Sequence, residues 1–415
     1  RRGRGSRRRP PGRRRRRSSQ TRLLEDLAAA DGPQQALLLL EHSLTGLLGL
    51  GCNSEEPFPT ADEFEVLSSL HSPTRTPPSD PTNRYESLPE AATLGLRLFK
   101  DPGLSGCGTI SCQSCHDGPG RTVDTPVAEG CFGNHTGRNP PTVLNTAYNT
   151  WYMWDGRADR LWNQALLPLL SPVEMASSPA ILRARLSEAY TPEYQALFGK
   201  TPQQETDDDR LLSNFGKVIA AYERTLVKTD APFDADVRRF LAAVDAGTQE
   251  KDPAYLGLKT FVRKAQCAAC HKGPMLSDEQ FHNVGVKDLS DSQRGVATGA
   301  GPMLQWTFNS AGPYSDAPLG AESTRLQRLG NDLRDKAGEL EGAYKTPSLR
   351  NVTLTAPYMH TGTEKTLTDV IELYNKGGEP AGNYAGVVSV TIKPLDLTDE
   401  EKKALEKLLE SMTSP

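Results

Sequence analysis

The chain has 415 residues, a hydrophobic fraction of 36% and a formal charge of -4, long enough for two or three domains and too apolar for wholesale disorder. The small net charge hides an asymmetry. Residues 1–17 hold eleven Arg and no other charged residue, and taking those charges away from -4 leaves about -15 on the remainder. Such an Arg run usually suggests a nucleic-acid-binding tail, but the apolar stretches that follow it point elsewhere. No uninterrupted apolar stretch of about 18 residues occurs beyond the N-terminal region, which excludes a membrane-spanning helix there on hydropathy.

In chain order, the Arg run is followed by apolar Ala36–Leu40 and Leu44–Leu50, then by Leu50-Gly51-Cys52-Asn53. This order is similar to a bacterial lipoprotein signal, so residues 1–53 are expected to direct export to the periplasm or cell envelope, with Cys52 as a candidate lipid anchor. Residues 54–83 are rich in Pro, Ser, Thr and acids and read as a solvated linker. The first packed unit is expected over 84–247 and the second over 248–415. In the first, helices are predicted over 84–99, 181–190, 209–226 and 233–244, the third opened by Asp207, Asp208 and Asp209, where the helix dipole favours acids. Polar residues 246–253 mark the boundary. The second unit has predicted helices over 255–266, near 323–340 and over 398–412, and no alternating run long enough for a sheet core, so the fold class is mostly α. Residues 285–345 are long, Gly-rich and mostly aperiodic, as functional or partner-binding segments tend to be.

Two pentapeptides carry the chemistry: Cys112-Gln113-Ser114-Cys115-His116 and Cys267-Ala268-Ala269-Cys270-His271. C-x-x-C-H places two thiols one helical turn apart to add to haem vinyl groups and delivers the adjacent His to the iron. With only seven Cys and seven His in the chain, two copies by chance are improbable. A zinc site would want four converging ligands, and a thioredoxin-like pair would want a βαβ frame. Two covalent haem c groups are therefore expected, with His116 and His271 as proximal ligands. Bacterial c-type assembly outside the cytoplasm agrees with export. Cys107 and Cys131 bracket the first motif and can pair in an oxidising compartment, a possibility the sequence leaves open.

The two halves repeat the same order of signals. Gly95-Leu96-Arg97-Leu98-Phe99 and Gly257-Leu258-Lys259-Thr260-Phe261 precede the motifs, and Gly118-Pro119 and Gly273-Pro274 follow them. Further on, Pro141-Thr142-Val143-Leu144-Asn145 matches Pro347-Ser348-Leu349-Arg350-Asn351, and the register continues without gaps through Gly156/Gly362 and Leu161/Leu367. It sets Trp154 opposite His360, Gln164 opposite Val370, and Pro168 opposite Tyr374. Tyr can ligate iron through its phenolate, whereas Pro168 has no ligating group, so the second haem is expected to be closed by protein on both faces and the first to be open. Gln164 and Glu174 follow Trp154 at ten-residue steps, and a carboxylate above an open iron is what peroxide cleavage needs, a base that takes a proton from one oxygen and returns it to the other.

These residues resemble the bacterial di-haem cytochrome c peroxidase and MauG family over nearly all of 84–412. The resemblance rests on both motifs, Arg138-Asn139-Pro140-Pro141-Thr142, Trp154-Asp155-Gly156-Arg157, Pro172-Val173-Glu174-Met175, and Pro347–Asn351 running into Thr355-Ala356-Pro357-Tyr358-Met359-His360-Thr361-Gly362. It implies two cytochrome c-like, mostly helical haem domains. Trp154 takes the place of the inter-haem Trp. Asn139 with the carbonyls of Thr355 and Pro357 corresponds to a calcium site, and Gln164 and Glu174 to the distal pair of the peroxide-reacting haem. Peroxidases of the family carry Met at the place of Tyr374 and accept electrons from a small cytochrome or cupredoxin, whereas the MauG branch has Tyr there and oxidises a protein substrate. Tyr374 therefore points to the MauG branch, with hydrogen peroxide and a protein as partners. The segment Thr307–Asp316 is similar to that of MbnH-type enzymes, which oxidise Trp in a partner protein. His135 is the nearest candidate for a resting ligand of the first haem, while His282 and His360 read as structural.

Overall fold

The computed structural model describes residues 56–117, 125–287 and 295–415. The N-terminal expectations, Cys52 included, and the Gly118-Pro119 pair lie outside them. Residues Phe58–Pro415 form one unit. Among the described residues it is built from helices, with a single antiparallel pairing of β1 (Phe281–His282) and β2 (Tyr344–Lys345). No described helix is long and apolar enough to cross a membrane.

Helix α1 (Ala61–Ser69) lies within the stretch read from composition as a linker. Its start is a capping box: Glu63 N–H donates to Thr60 Oγ1 at 3.3 Å, and Thr60 N–H to Glu63 Oε2 at 2.8 Å. Leu67 and Leu70 are fully buried, and Arg263 grips the Glu63 carboxylate at 2.7 and 2.6 Å. The Pro- and Ser-rich flanks concealed this short amphipathic turn.

Helix α2 (Pro89–Phe99) begins at a proline, whose missing N–H costs nothing in the first turn. It buries Ala91, Leu94, Gly95, Leu98 and Phe99 at helical spacing. The motif helix α3 (Cys112–Cys115) follows, then α4 (Leu161–Gln164), α5 (Leu166–Leu170), α6 (Pro179–Ala189) and α7 (Thr191–Phe198). Around these packs α8 (Asp208–Glu223), capped by Asp207, whose carboxylate accepts from Arg210 N–H at 3.0 Å. α8 is buried on almost every side because α2 approaches to the point where a Cβ on Gly95 would stand 2.0 Å from Val218 O. Each fully buried Leu or Phe in this first core contributes on the order of 1.5–3 kcal/mol.

A second core gathers α1, α9 (Pro232–Asp245), α10 (Tyr255–Lys259), the π-turn Thr260–Lys264 and, later in the chain, Leu367, Ile371, Leu405, Leu408 and Met412. The sequence reading assigned α9 to the first unit, but Phe233, Val237 and Phe240 pack with Leu258 and Phe261 of the second. The polar stretch 246–253 is thus a turn within one core.

The segment 285–345 holds α11 (Val296–Leu304), α12 (Ala321–Asp335) and α13 (Ala337–Leu340). They bury Val296, Ala300, Met303, Leu326 and Leu329 against Trp151. Its stretch 307–316 packs on the first core: Phe308, Asn309 and Ser310 are buried, and Asp316 accepts from the buried Lys217 ammonium at 2.7 Å and pairs with Arg84. The chain closes with α14 (Leu367–Lys376) and α15 (Asp399–Ser411), each opened by a capping box.

Residues matched in register between the halves share backbone conformation. Asn145 and Asn351 have φ of 61° and 62°, Met153 and Met359 63° and 65°, and Gly156 and Gly362 both 66°. Tyr152 bridges Ala158 as Tyr358 bridges Glu364. Both Asn side chains donate to one acceptor, Lys228 O, at 2.7 and 2.9 Å.

The second core contains a buried ion pair in which Arg350 donates to both Asp234 oxygens, at 3.1 and 2.9 Å, and to Pro274 O at 2.5 Å. Asp234→Asn leaves the guanidinium buried without its counter-charge, and is expected to destabilise the protein by about 3–5 kcal/mol in denaturant unfolding. A loss below about 1 kcal/mol would show the pair to be structurally neutral.

Candidate functional site

One cavity of about 720 Å³ runs through the structure and is lined by both motifs. Its wall includes Cys115, His116, Asn139, Trp154, Gln164, Pro168 and Glu174, and on the other motif's side Cys267, Cys270, His271, Thr355, Pro357 and Tyr374. All the expected site residues therefore face one space except Cys112, which is half-buried against the first core.

The motifs are folded as their chemistry requires. Cys112 and Cys115 sit one turn apart on α3, whose start is closed by Ser111 N–H donating to Ser114 Oγ at 3.0 Å. His116 N–H donates to Cys112 O at 2.9 Å, and His271 N–H to Cys267 O at 2.8 Å. Burial pushes the Cys112 and Cys267 thiols up to about 12, the reverse of what a redox-active thiol needs. The same burial lowers the His271 pKa. Its Nδ1 lies 3.0 Å from Leu276 O, so the neutral ring donates there and turns a free Nε2 lone pair to the cavity.

Across the cavity, α5 carries Pro168 and α14 carries Tyr374, each seven positions after the matched Leu161 and Leu367. Burial raises the Tyr374 pKa, and Cys267 and Cys270 raise it further. A phenolate there requires a cation to compensate it.

Glu174 sits on the segment after α5, where burial raises its pKa against the opposing pull of Arg157 and a Ser171 hydrogen bond. A disulfide joins Cys107 to Cys131 with Cα atoms 5.6 Å apart, and this braced loop lies on the Glu174 segment. Cys131 N–H donates to Glu174 O at 2.7 Å and Gly106 N–H to Met175 O at 2.8 Å. The approach is close enough that a Cβ on Gly130 would stand 2.2 Å from Val173 O. Gln164 Nε2 reaches Met153 Sδ at 3.8 Å.

Midway, the Trp154 indole N–H donates to Asn139 O at 2.7 Å, and its ring meets His360 edge-on with centroids 6.4 Å apart. His360 is buried and stacks on Tyr344 at 3.6 Å. Asn139 Nδ2 donates to Pro357 O at 2.7 Å and Met359 O at 3.0 Å. The Asn139 side chain is thus joined to one of the two carbonyls expected at the calcium site, and a half-turn of its amide presents oxygen in place of nitrogen.

His135, for which a surface-loop position is the other reading, is exposed on a loop bridged to Glu129 and is not among the residues lining the cavity. The structure departs from the sequence reading in two places. The 307–316 stretch is largely packed against the first core and offers little free loop for a partner. Glu223, which the sequence reading passed over, lines the cavity. Its signal was present: it falls one turn after Ile219 on a helix whose other positions are nearly all buried.

The sequence profile of the family described as "Di-haem cytochrome c peroxidase" matches residues 89–240. The methylamine utilization protein MauG of Methylorubrum extorquens is 32% identical over 358 residues, spanning 85% of this chain and 87% of its own. Cytochrome-c peroxidase IdrP1 of Denitromonas iodatirespirans is 34% identical over 335 residues, 79% of this chain and 82% of its own. The chain belongs to the di-haem cytochrome c peroxidase family. Among solved structures, a MauG-like protein associated with microbial copper homeostasis is similar at a TM-score of 0.56 and 26% identity, covering 83% of this chain and 94% of that one.

Membership makes the protein an oxidoreductase of the di-haem peroxidase type, and implies two haem c groups, hydrogen peroxide and a protein partner. The residues fit those groups: neutral buried thiols, a histidine fixed through Nδ1, and one cavity reaching both motifs. Cys270, Asp278 and His282 offer ligand atoms within 4.8 Å of one another, but Cys270 is also the second thiol of the C-x-x-C-H motif, which the family implies is reserved for haem attachment. Asp278, 2.9 Å from His282 Nε2, instead serves as counter-ion to that imidazole, whose pKa it raises.

Proposed function

We propose that this is a MauG-like enzyme that reacts with hydrogen peroxide at the Cys112/Cys115/His116 haem and oxidises a protein substrate through the Cys267/Cys270/His271 haem. When bound, the two haems supply the redox chemistry that removes oxidising equivalents from peroxide and holds them. One observation carries the reading: Pro168 and Tyr374 stand at matched places on the wall of one cavity. Tyr374 offers a hard anionic ligand on one side, and Pro168 leaves room for peroxide on the other. The matched backbone angles of the two halves support their reading as a repeat of two haem domains.

Glu174 is the acid–base group. Its carboxylate takes the proton from one peroxide oxygen and returns it to the leaving oxygen, and a raised pKa suits a group that must do both. Gln164 orients the peroxide by hydrogen bonding. Trp154, fixed through its indole N–H, is the relay between the two ends of the cavity. Asn139 and the carbonyls of Thr355 and Pro357 hold a calcium ion, an all-oxygen donor set suited to a hard cation. The disulfide agrees with an exported enzyme in an oxidising compartment.

Glu174→Gln is expected to slow the reaction with peroxide by about 10²–10⁴-fold in stopped-flow absorbance. In the wild type the rate should fall as pH drops, because the base must be ionised. The midpoint should lie above the 4.5 of an ordinary Glu, and Glu174→Gln should lack that limb. An unchanged rate removes Glu174 from the chemistry.

Tyr374→Met is expected to raise the potential of the second haem and to speed peroxide-dependent oxidation of a reduced small cytochrome. If the wild type already turns over that carrier rapidly, the enzyme is a carrier-fed cytochrome c peroxidase. Removing calcium with a chelator should perturb the spectrum of the haem pair and re-addition restore it. Insensitivity together with the absence of bound calcium by elemental analysis refutes the ion.

A further inference from the structure

Glu223 ends α8 at the cavity wall with its side chain 4% exposed. Its backbone carbonyl accepts from Leu226 N–H, but its Oε2 has no hydrogen-bond partner among the described residues. The titratable groups close enough for its charge to be felt are Cys112 on the motif helix, Tyr152 and, on its own helix, Tyr222. Tyr152 spends its hydroxyl proton on Thr146 O and Asn149 O, at 3.1 and 3.0 Å. Cations on the elements packed around α8 are engaged elsewhere: Arg97 with Glu193, Arg160 with Asp80 and Glu322, Arg224 with Glu86. Among the described residues nothing charged compensates the carboxylate, and burial pushes its pKa up to about 8.

A carboxyl that filled space or made one structural hydrogen bond would be satisfied within the protein. This one has an unpartnered oxygen among the described residues, and it lines the same cavity as Cys115 and His116 of the first motif. We propose that Glu223 exchanges a proton with solvent in step with the oxidation state of the first haem, taking one up when that haem gains an electron and releasing it when the electron is lost. The balance is one electron from the donor, one proton from water, carboxylate to carboxylic acid. The direction follows from charge, since an added electron makes the surroundings more negative and favours the neutral acid. The inference rests on the first motif carrying haem and is independent of whether the final donor is a protein residue or a small carrier.

The test is spectropotentiometric titration of the loaded enzyme across pH values on either side of about 8. The first haem's midpoint potential is expected to fall as pH rises, by up to one proton per electron. Glu223→Gln should flatten that slope and leave the second haem's slope unchanged. Redox-difference infrared spectra of the wild type should also contain a protonated-carboxyl band that shifts in D₂O. A flat wild-type potential overturns the proposal, as does a slope that persists in Glu223→Gln. If that variant fails to load haem, absence of the wild-type band overturns it. Absence of a first haem from the mature wild type would instead sink the site assignment on which it rests.

Discussion

A single backbone carbonyl, that of Lys228, accepts hydrogen bonds from the side chains of both Asn145 and Asn351. A carbonyl oxygen has two lone pairs, and here each is given to one half of the chain. Lys228 N–H in turn donates to Asn145 Oδ1, and Asn351 Oδ1 accepts from Ser414 N–H. Two segments of like conformation leave this common point and run to Trp154 and His360, which meet edge-on. One turn-and-helix later they deliver Pro168 and Tyr374 to the cavity. The two segments that lead to the haem ends are thus tied together at one hydrogen-bonded hub and turn at paired left-handed residues.

The cavity wall combines apolar burial with a few ionisable groups whose surroundings push them apart. Glu174 has Arg157 and Ser171 to oppose its desolvation, whereas Glu223 has no such group among the described residues. Asp155 is held well below the usual carboxylate range by Arg157 and Arg138, against its burial. These three acids line one cavity and differ in the direction or extent of their pKa shifts because of which cations reach them. The Glu174 segment owes its place to the disulfide loop pressed on it through Gly130, so an acid near the chemistry is held by covalent structure outside it.

Much of this was legible in the sequence because it is carried by motifs of fixed spacing. Two C-x-x-C-H runs, the matched Pro–Asn segments and the Gly156/Gly362 register led to the candidate site residues that line the wall, Cys112 excepted. Helices α2, α8, α9 and α15 were readable from apolar spacing and N-terminal acids. What was missed has physical reasons. Helix α1 is short, and its stabilisation comes from a capping box and an Arg263 ion pair instead of a long apolar stripe. Assigning α9 to one core over the other depends on long-range contacts that periodicity does not encode. Glu223 was absorbed into a helical pattern, since one acid on a buried helix resembles a boundary residue until its partners are known. The 285–345 segment looked aperiodic because its helices are separated by Gly and Pro, yet it has a core of its own.

That segment changes what the internal symmetry means for folding. It belongs by sequence to the second half, but Asp316 engages Lys217 and Arg84, Ser310 N–H donates to Asp159, and Glu322 reaches Arg160, all in the first. In the other direction α1, which precedes the first motif, packs in the second core. The halves are interleaved like clasped hands. A cut through residues 246–253 would release two fragments, each stripped of part of its own core. Each core thus contains residues drawn from both sides of that stretch, so neither side carries a complete core of its own.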